Sequence, residues 1–196
     1  MLIRAADCPQ VAWKNGGGTT REIATFPVGA GMDGFLWRLS AARVDAPGPF
    51  SHFAGVDRTI AILSGRLLLH VAGRDPVRLA PGSAAYDFPG DLPAYGTPED
   101  GPVADLNLMV RREAGAGAIR TIGAGAITAV AAGTILVATQ DMVLCIGADS
   151  VAMRAHDAFR FDAPSSDPVT VDAPVQMVSV TIRDGIAGGR DTALRA

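Results

Sequence analysis

Side chains able to read a small polar ligand gather in four short stretches of this chain. WKNGGGTTRE carries Trp13, Lys14 and Asn15 ahead of Gly16, Gly17 and Gly18, with Thr20, Arg21 and Glu22 behind them. WRLS supplies Arg38 and Ser40, PFS supplies Phe50 and Ser51, and the nearby Asp57-Arg58 pair adds a carboxylate and a cation. DLNLMVR supplies Asp105, Asn107 and Arg111. Guanidinium groups capture carboxylates through paired hydrogen bonds, and amide and hydroxyl groups read neutral polar ends. The triple glycine allows two readings that do not exclude each other. It lets the chain bend sharply into a strand or admit a close neighbour, or its bare N–H groups cradle an anion. It is not a P-loop, because Lys14 precedes the glycines, and it is not a dinucleotide fingerprint, because TTREIATF is strand-like.

Strand periodicity sorts these residues. In WRLSAARV, Arg38, Ser40 and Ala42 share one face. In ADLNLMVRR, Asp105, Asn107 and Met109 share one face, opposite Leu106, Leu108 and Val110. The leucine side reads as core. The polar side is therefore either solvated or turned into the interior of a barrel, and in the second case it is a ligand site.

The elements that must position these faces are strands. Short apolar runs alternate with turn signals, and clean helical periodicity is nearly absent, which is the pattern of an all-β sandwich or barrel. Strands are expected at 19–26, 35–44, 58–63, 66–71, 77–79, 83–88 and 104–111. In the second half they are expected at 126–131, 134–139, 142–146, 151–154, 158–161, 169–171 and 175–182. Leu63-Ser64-Gly65-Arg66 reads as a tight hairpin, Ala72-Gly73-Arg74-Asp75 as another, and Ala80-Pro81-Gly82-Ser83 as a type II turn. Ala5-Ala6-Asp7-Cys8 is the one short helical turn. The run from Thr59 (TIAILSGRLLLHVAGRDPVRLAPGSAAYDF) and the run from Thr134 (TILVATQDMVLCIGADSVAMRAHDAFRF) share one order of strands and turns, which implies two copies of a β-module. The glycine-centred strand pair leading to a Pro-Gly turn resembles the cupin pattern, a small jelly-roll barrel. Two copies make a bicupin, with an N-terminal module over 1–112 and a degenerate C-terminal module over 113–196.

Bulk properties narrow the function. A net charge of −3 with no basic run argues against nucleic acid. Cys8 and Cys145 make no disulfide framework and read as small hydrophobes in a reduced cytosol. No secretory leader and no run of about 20 apolar residues occurs, so a cytoplasmic protein without membrane partners is expected. A catalytic metal is not expected, and no cofactor is. His52, His70 and His156 are the only histidines, with no His-x-His pair.

WKNGGGTTREI, WRLSAARV, GPFSHFAGVDRT and DLNLMVRR, in this order and spacing, resemble the HutD/Ves family, from Trp13 to about Arg112. One departure is Ala54, where the resemblance leads one to expect Pro. The resemblance implies a bicupin without enzymatic activity. It also implies a regulatory role in histidine utilisation, with a pathway acid such as N-formylglutamate as ligand. The residue chemistry agrees with such a ligand. Arg58 and Arg38 are the favoured anion binders, with Arg21 and Arg111 as further cations on the motif strands. Lys14, Asn15, Thr20, Ser40, Asn107 and the Gly17 and Gly18 backbone would complete the ligand shell, walled by Trp13 and Phe50. Glu22, Asp57 and Asp105 would hold the arginines in place, and each such pair is equally compatible with a structural salt bridge.

Two functions follow as expectations. One is a non-enzymatic binder of a small organic acid. The other is a metal-independent enzyme using Glu22 or Asp105 as its base. A homodimer paired through sheet edges is compatible with the fold, and a plainly filled scaffold barrel is the remaining alternative.

Overall fold

The structure, a computed structural model, describes residues 1–13, 16–183 and 186. It is built almost entirely of antiparallel strands, in two compact units: Pro9–Gly117 with Thr181–Ala196, and Met1–Cys8 with Ala118–Val180. The first residues, which the sequence reading placed in the N-terminal module, pair with the C-terminal one. Leu2 and Ile3 lie against Phe159 and Ala158. Asp157 fixes them there, accepting hydrogen bonds from Arg4 Nη1 at 2.7 Å, from the Ala5 amide at 2.8 Å and from the Arg154 amide at 2.9 Å. Burial opposes ionisation of Asp157. The Ala5 and Arg154 amides and the Arg4 guanidinium outweigh it and hold the carboxyl below its ordinary range.

The N-terminal unit is one eight-stranded sheet. Its main path runs Gln10–Ala12, Gly18–Phe26, Trp37–Val44, Ala94–Arg111, Val56–Val71, Val77–Leu79. Gly48–Pro49 adds to Ala94–Arg111, and Tyr86–Pro89 adds to Val56–Val71. The two long strands pair from Val56–Arg111 to Val71–Ala94. The hairpin expected at Leu63-Ser64-Gly65-Arg66 is therefore not a turn. Register shifts flank Ser64 within one continuous strand, and Gly65 sits at φ +79°, where a Cβ would meet the Pro102 carbonyl oxygen at 2.6 Å. The Ser-Gly pair bends the strand as a bulge and does not reverse it. The turns at Ala72–Asp75 and Ala80–Ser83 do form. The Ser83 amide donates to the Ala80 carbonyl at 3.0 Å, and Gly82 is at φ +85°.

The same bookkeeping of glycines explains the triple repeat. Gly16 takes φ +70°, the left-handed region. The Gly17 carbonyl accepts from the Asp45 and Ala46 amides at 2.9 and 3.3 Å. At Gly18 a Cβ would collide with the Arg43 carbonyl oxygen and touch the Trp13 ring. The glycines thus bend the chain into the Gly18–Phe26 strand and let the Trp37–Val44 strand approach it.

In the C-terminal unit a five-stranded sheet runs Leu2–Ile3, Ala158–Arg160, Ile135–Ala138, Val175–Ile182, Gly115–Ile122. A four-stranded sheet runs Gly125–Ile127, Val169–Val171, Met142–Ile146, Asp149–Met153. The two sequence repeats use equivalent pairings: Ile60 opposes Tyr86 and Asn107, and Leu136 opposes Phe159 and Met177. The core faces are Ile60 with Ile62 in one copy and Leu136 with Ala138 in the other. The structural repeat is thus offset by one residue from the Thr59–Thr134 alignment, and in a strand one residue exchanges the two faces.

Candidate functional site

The polar faces found in the sequence meet inside the N-terminal unit. Register sets the arrangement. Arg38, Met109 and Arg58 stand abreast on adjacent strands. Glu22, Ser40, Asn107 and Ile60 form the next row, and Thr20, Ala42, Asp105 and Ile62 the one after. Ile60, Ile62 and Val103 on this face belong to the apolar core, so the face points inward. Ser40, Arg58, Asp105 and Asn107 are all buried, Asp105 at 0% exposure.

Arg58 is held in an aromatic box. Its guanidinium carbon lies 5.0 Å from the Phe50 ring centre, 5.1 Å from Phe88 and 5.9 Å from Phe53. These are cation–π distances. Two glycines place two of the rings. A Cβ at Gly96 would meet Phe50 Cε2 at 2.7 Å, and one at Gly90 would meet the Phe53 carbonyl oxygen at 2.9 Å. Phe88 is the direct strand partner of Arg58. Among the described residues its one hydrogen bond is a long one, from Nη1 to the Ser51 carbonyl at 3.3 Å, and Nε has none. Burial lowers the Arg58 pKa to about 10, opposed by the charge of Asp105 and reinforced by that of Arg38. The group stays cationic at neutral pH.

Arg38 is differently placed. Its Nε donates to Glu22 Oε2 at 2.7 Å and its Nη1 to Ser40 Oγ at 3.1 Å. Its charge is paired, and its Glu22 partner, at 39% side-chain exposure, is the more open end of the pair. Asp105 holds no arginine. Both carboxylate oxygens are buried without a hydrogen-bond partner among the described residues, as is Asn107 Oδ1. Burial pushes the Asp105 carboxyl up to about 7, with the Arg58 charge pulling the other way. Among the described residues, the buried side-chain polar atoms left unpaired all lie on this one face. Native interiors pair nearly all such atoms, so this cluster of exceptions makes the face the candidate site. The matching positions of the C-terminal unit are apolar: Val175 opposes Ala138 and Met177 opposes Leu136, where the N-terminal unit has Asp105 opposite Ile62 and Asn107 opposite Ile60.

Other residues named from the sequence stand elsewhere. Arg21 points to the opposite face from Glu22 and bonds Gln10 Oε1 at 3.0 Å. Asp57 alternates away from Arg58 and pairs with Arg112 at 2.9 Å, which also holds Asp91 at 2.6 Å. Asp57 therefore does not support Arg58. Arg111 clamps the loop before Trp37, donating to the Phe35 and Asp33 carbonyls at 2.7 and 2.6 Å. Trp13 packs on the apolar core and donates from Nε1 to Thr20 Oγ1 at 2.8 Å. Lys14 and Asn15 lie outside the described residues. Phe53 and Phe88 are the site residues that the sequence reading missed. Phe88 could have been found by laying the expected 83–88 strand against Arg58. His52 and His70 are exposed. Among the described residues, no group of three His, Cys, Asp or Glu side chains could hold a metal, and no helix is long and apolar enough to cross a membrane.

Known proteins match this architecture. The HutD family model matches residues 5–179. The chain is 41% identical over 108 residues to a 21.2 kDa protein in the hutC 3' region of Pseudomonas putida, covering 55% of this chain and 56% of the relative. It is 35% identical over 113 residues to protein Ves of Citrobacter koseri, covering 57% and 58%. The matched stretch thus spans a little over half the length of these curated relatives. The solved structure of HutD from Pseudomonas fluorescens SBW25, from a formate condition, superposes with a TM-score of 0.79 at 29% identity, over 93% of this chain and 98% of that one. A cupin barrel protein from Leptotrichia buccalis, at 10% identity and a TM-score of 0.55, shares the fold over 88% of this chain and 92% of its own. The fold is an all-β, cupin-like bicupin, and the chain belongs to the HutD family.

Proposed function

We propose that this protein binds a small organic carboxylate inside its N-terminal barrel and acts as a non-catalytic sensor or regulator in histidine utilisation. The observation that carries this reading is Arg58. A buried guanidinium with an unpaired Nε, set among phenyl rings, is a charge with no ion-pair contact among the described residues. Such a charge is costly unless an anion meets it. Phenyl walls exclude water and strengthen that meeting. Arg38, already neutralised by Glu22, frames the site, and Ser40 and Asn107 lie one row away. Family membership and the hutC-region relative favour an intermediate of histidine breakdown, with N-formylglutamate as the first candidate. Thermal-shift and calorimetric titration of N-formylglutamate, urocanate and glutamate test the reading. Binding that Arg58→Ala abolishes supports it, and no binding in the millimolar range sinks it.

A second reading has its own support. A buried carboxyl near neutrality is the kind of group that transfers protons, so Asp105 could serve an acid–base reaction on the same ligand. Turnover of a small acid that Asp105→Asn removes while binding persists would favour it.

A further inference from the structure

We infer that the ligand of this site carries a hydrogen-bond donor on nitrogen some atoms away from its carboxylate, and that Asp105 and Asn107 receive that donor. The inference rests on the carboxylate-binding reading of Arg58 and adds the chemistry of the ligand's other end.

The unpaired atoms of the buried face fall into two kinds. Arg58 Nε is a donor, and Asp105 Oδ1, Asp105 Oδ2 and Asn107 Oδ1 are acceptors. They do not satisfy one another. Arg58 opposes Met109, Asp105 opposes Ile62, and Ile60 and Asn107 occupy the row between them. Four residues along a strand correspond to about 13 Å of backbone. Arg58 is turned into the Phe50 and Phe88 rings, and no ion pair joins it to Asp105. A ligand spanning the gap thus meets a cation at one end and acceptors at the other. Above its titration range the Asp105 carboxylate only accepts, as Asn107 Oδ1 does, so their counterpart must donate. An amide N–H, a ring N–H or an ammonium fits. A second carboxylate placed there with no N–H beside it would face the ionised Asp105 as a like charge and be repelled. The site therefore selects N–H-bearing acids over plain dicarboxylates. The C-terminal unit, with Val175 and Met177 at the matching positions, has no such end.

The test compares three probes sharing one five-carbon diacid frame: N-formylglutamate and L-glutamate, which carry N–H donors, and glutarate, which carries none. Each is titrated at pH 8, where Asp105 is ionised, into the wild-type chain and into Asp105→Leu, which has no acceptor there. A donor to a charged acceptor contributes about tenfold or more in affinity. The expected result is that at least one donor-bearing probe binds about tenfold or more tighter than glutarate, and that the gap narrows sharply in Asp105→Leu. Equal binding of glutarate overturns the donor inference and leaves the carboxylate reading standing. A donor preference that survives undiminished in Asp105→Leu overturns the assignment to Asp105. Failure of all three to bind overturns this inference and the reading beneath it together. The wild-type comparison stands even where the variant fails to fold.

Discussion

Arg58 and Asp105 share one buried face on neighbouring strands and do not touch. Arg58 is boxed by Phe50, Phe53 and Phe88, while Asp105 sits fully buried with both oxygens unpaired. A buried pair retained for stability would be closed into an ion pair. This one is held open.

The open arrangement has a pH signature. Burial raises the Asp105 carboxyl to about 7 in the folded protein, whereas in the unfolded chain it takes its ordinary value of 3.8. The folded state holds the proton more tightly, so this group's contribution to stability is full below about pH 4. It declines between about pH 4 and 7 and is lost above that. Asp105→Asn, which cannot ionise, should stabilise the ligand-free protein against unfolding at pH 8, by up to about 4 kcal/mol. The gain should shrink toward pH 4. Denaturant unfolding at several pH values checks this, and a variant less stable than wild type at pH 8 would contradict it.

Arg38 and Arg58 should respond differently to removal. Arg38 already shares Glu22 at 2.7 Å, so its loss leaves an exposed carboxylate and weakens carboxylate binding modestly. Arg58 makes no ion pair among the described residues, and Arg58→Met should abolish binding while keeping the stem packed among the phenyl rings. Parallel titrations of Arg38→Met and Arg58→Met read the difference. Equal losses would mean that the two cations act as one clamp.

Gly96 gives the box its room. A Cβ there would meet Phe50 Cε2 at 2.7 Å. The ring is a side chain that can turn, so Gly96→Ala should fold while displacing Phe50 from Arg58 and lowering ligand affinity. Gly18→Ala should behave in the opposite way. Its Cβ would collide with the Arg43 carbonyl oxygen, which is backbone, and the cost should reach about 2 kcal/mol or more in unfolding experiments.

Asp157 is the tie that holds the first residues to the C-terminal unit. Replacing it with Ala removes both oxygens, the acceptors for Arg4 and for two backbone amides. Hydrogen exchange at Ala5 and Arg154 should speed up, and stability should fall by about 1–3 kcal/mol. Unchanged protection at both amides would show that the Leu2–Ile3 pairing alone suffices.

Much of this was legible before the coordinates. Alternation placed Arg38 with Ser40 and Asp105 with Asn107, and those faces do meet. Hydrophobic runs located most strands, with 77–79, 142–146, 169–171 and 175–182 matching residue for residue. Asp57 could have been rejected by the same alternation, since the neighbour of an inward Arg58 must face outward. The bend at Gly65 was not legible, because a Ser-Gly pair suits a hairpin and a bulge equally. Only the approach of Pro102 decides between them. Nor was the isolation of Asp105, which depends on register between strands far apart in sequence. Phe53 and Phe88 read as ordinary core until that register sets them around a cation.

Calorimetric titration of N-formylglutamate into the wild-type protein and into Arg58→Met, with melting curves for both, tests the central claim most directly. The account predicts saturable one-site binding to the wild type and none to a variant that still unfolds cooperatively. Undiminished binding to a folded Arg58→Met protein would contradict it.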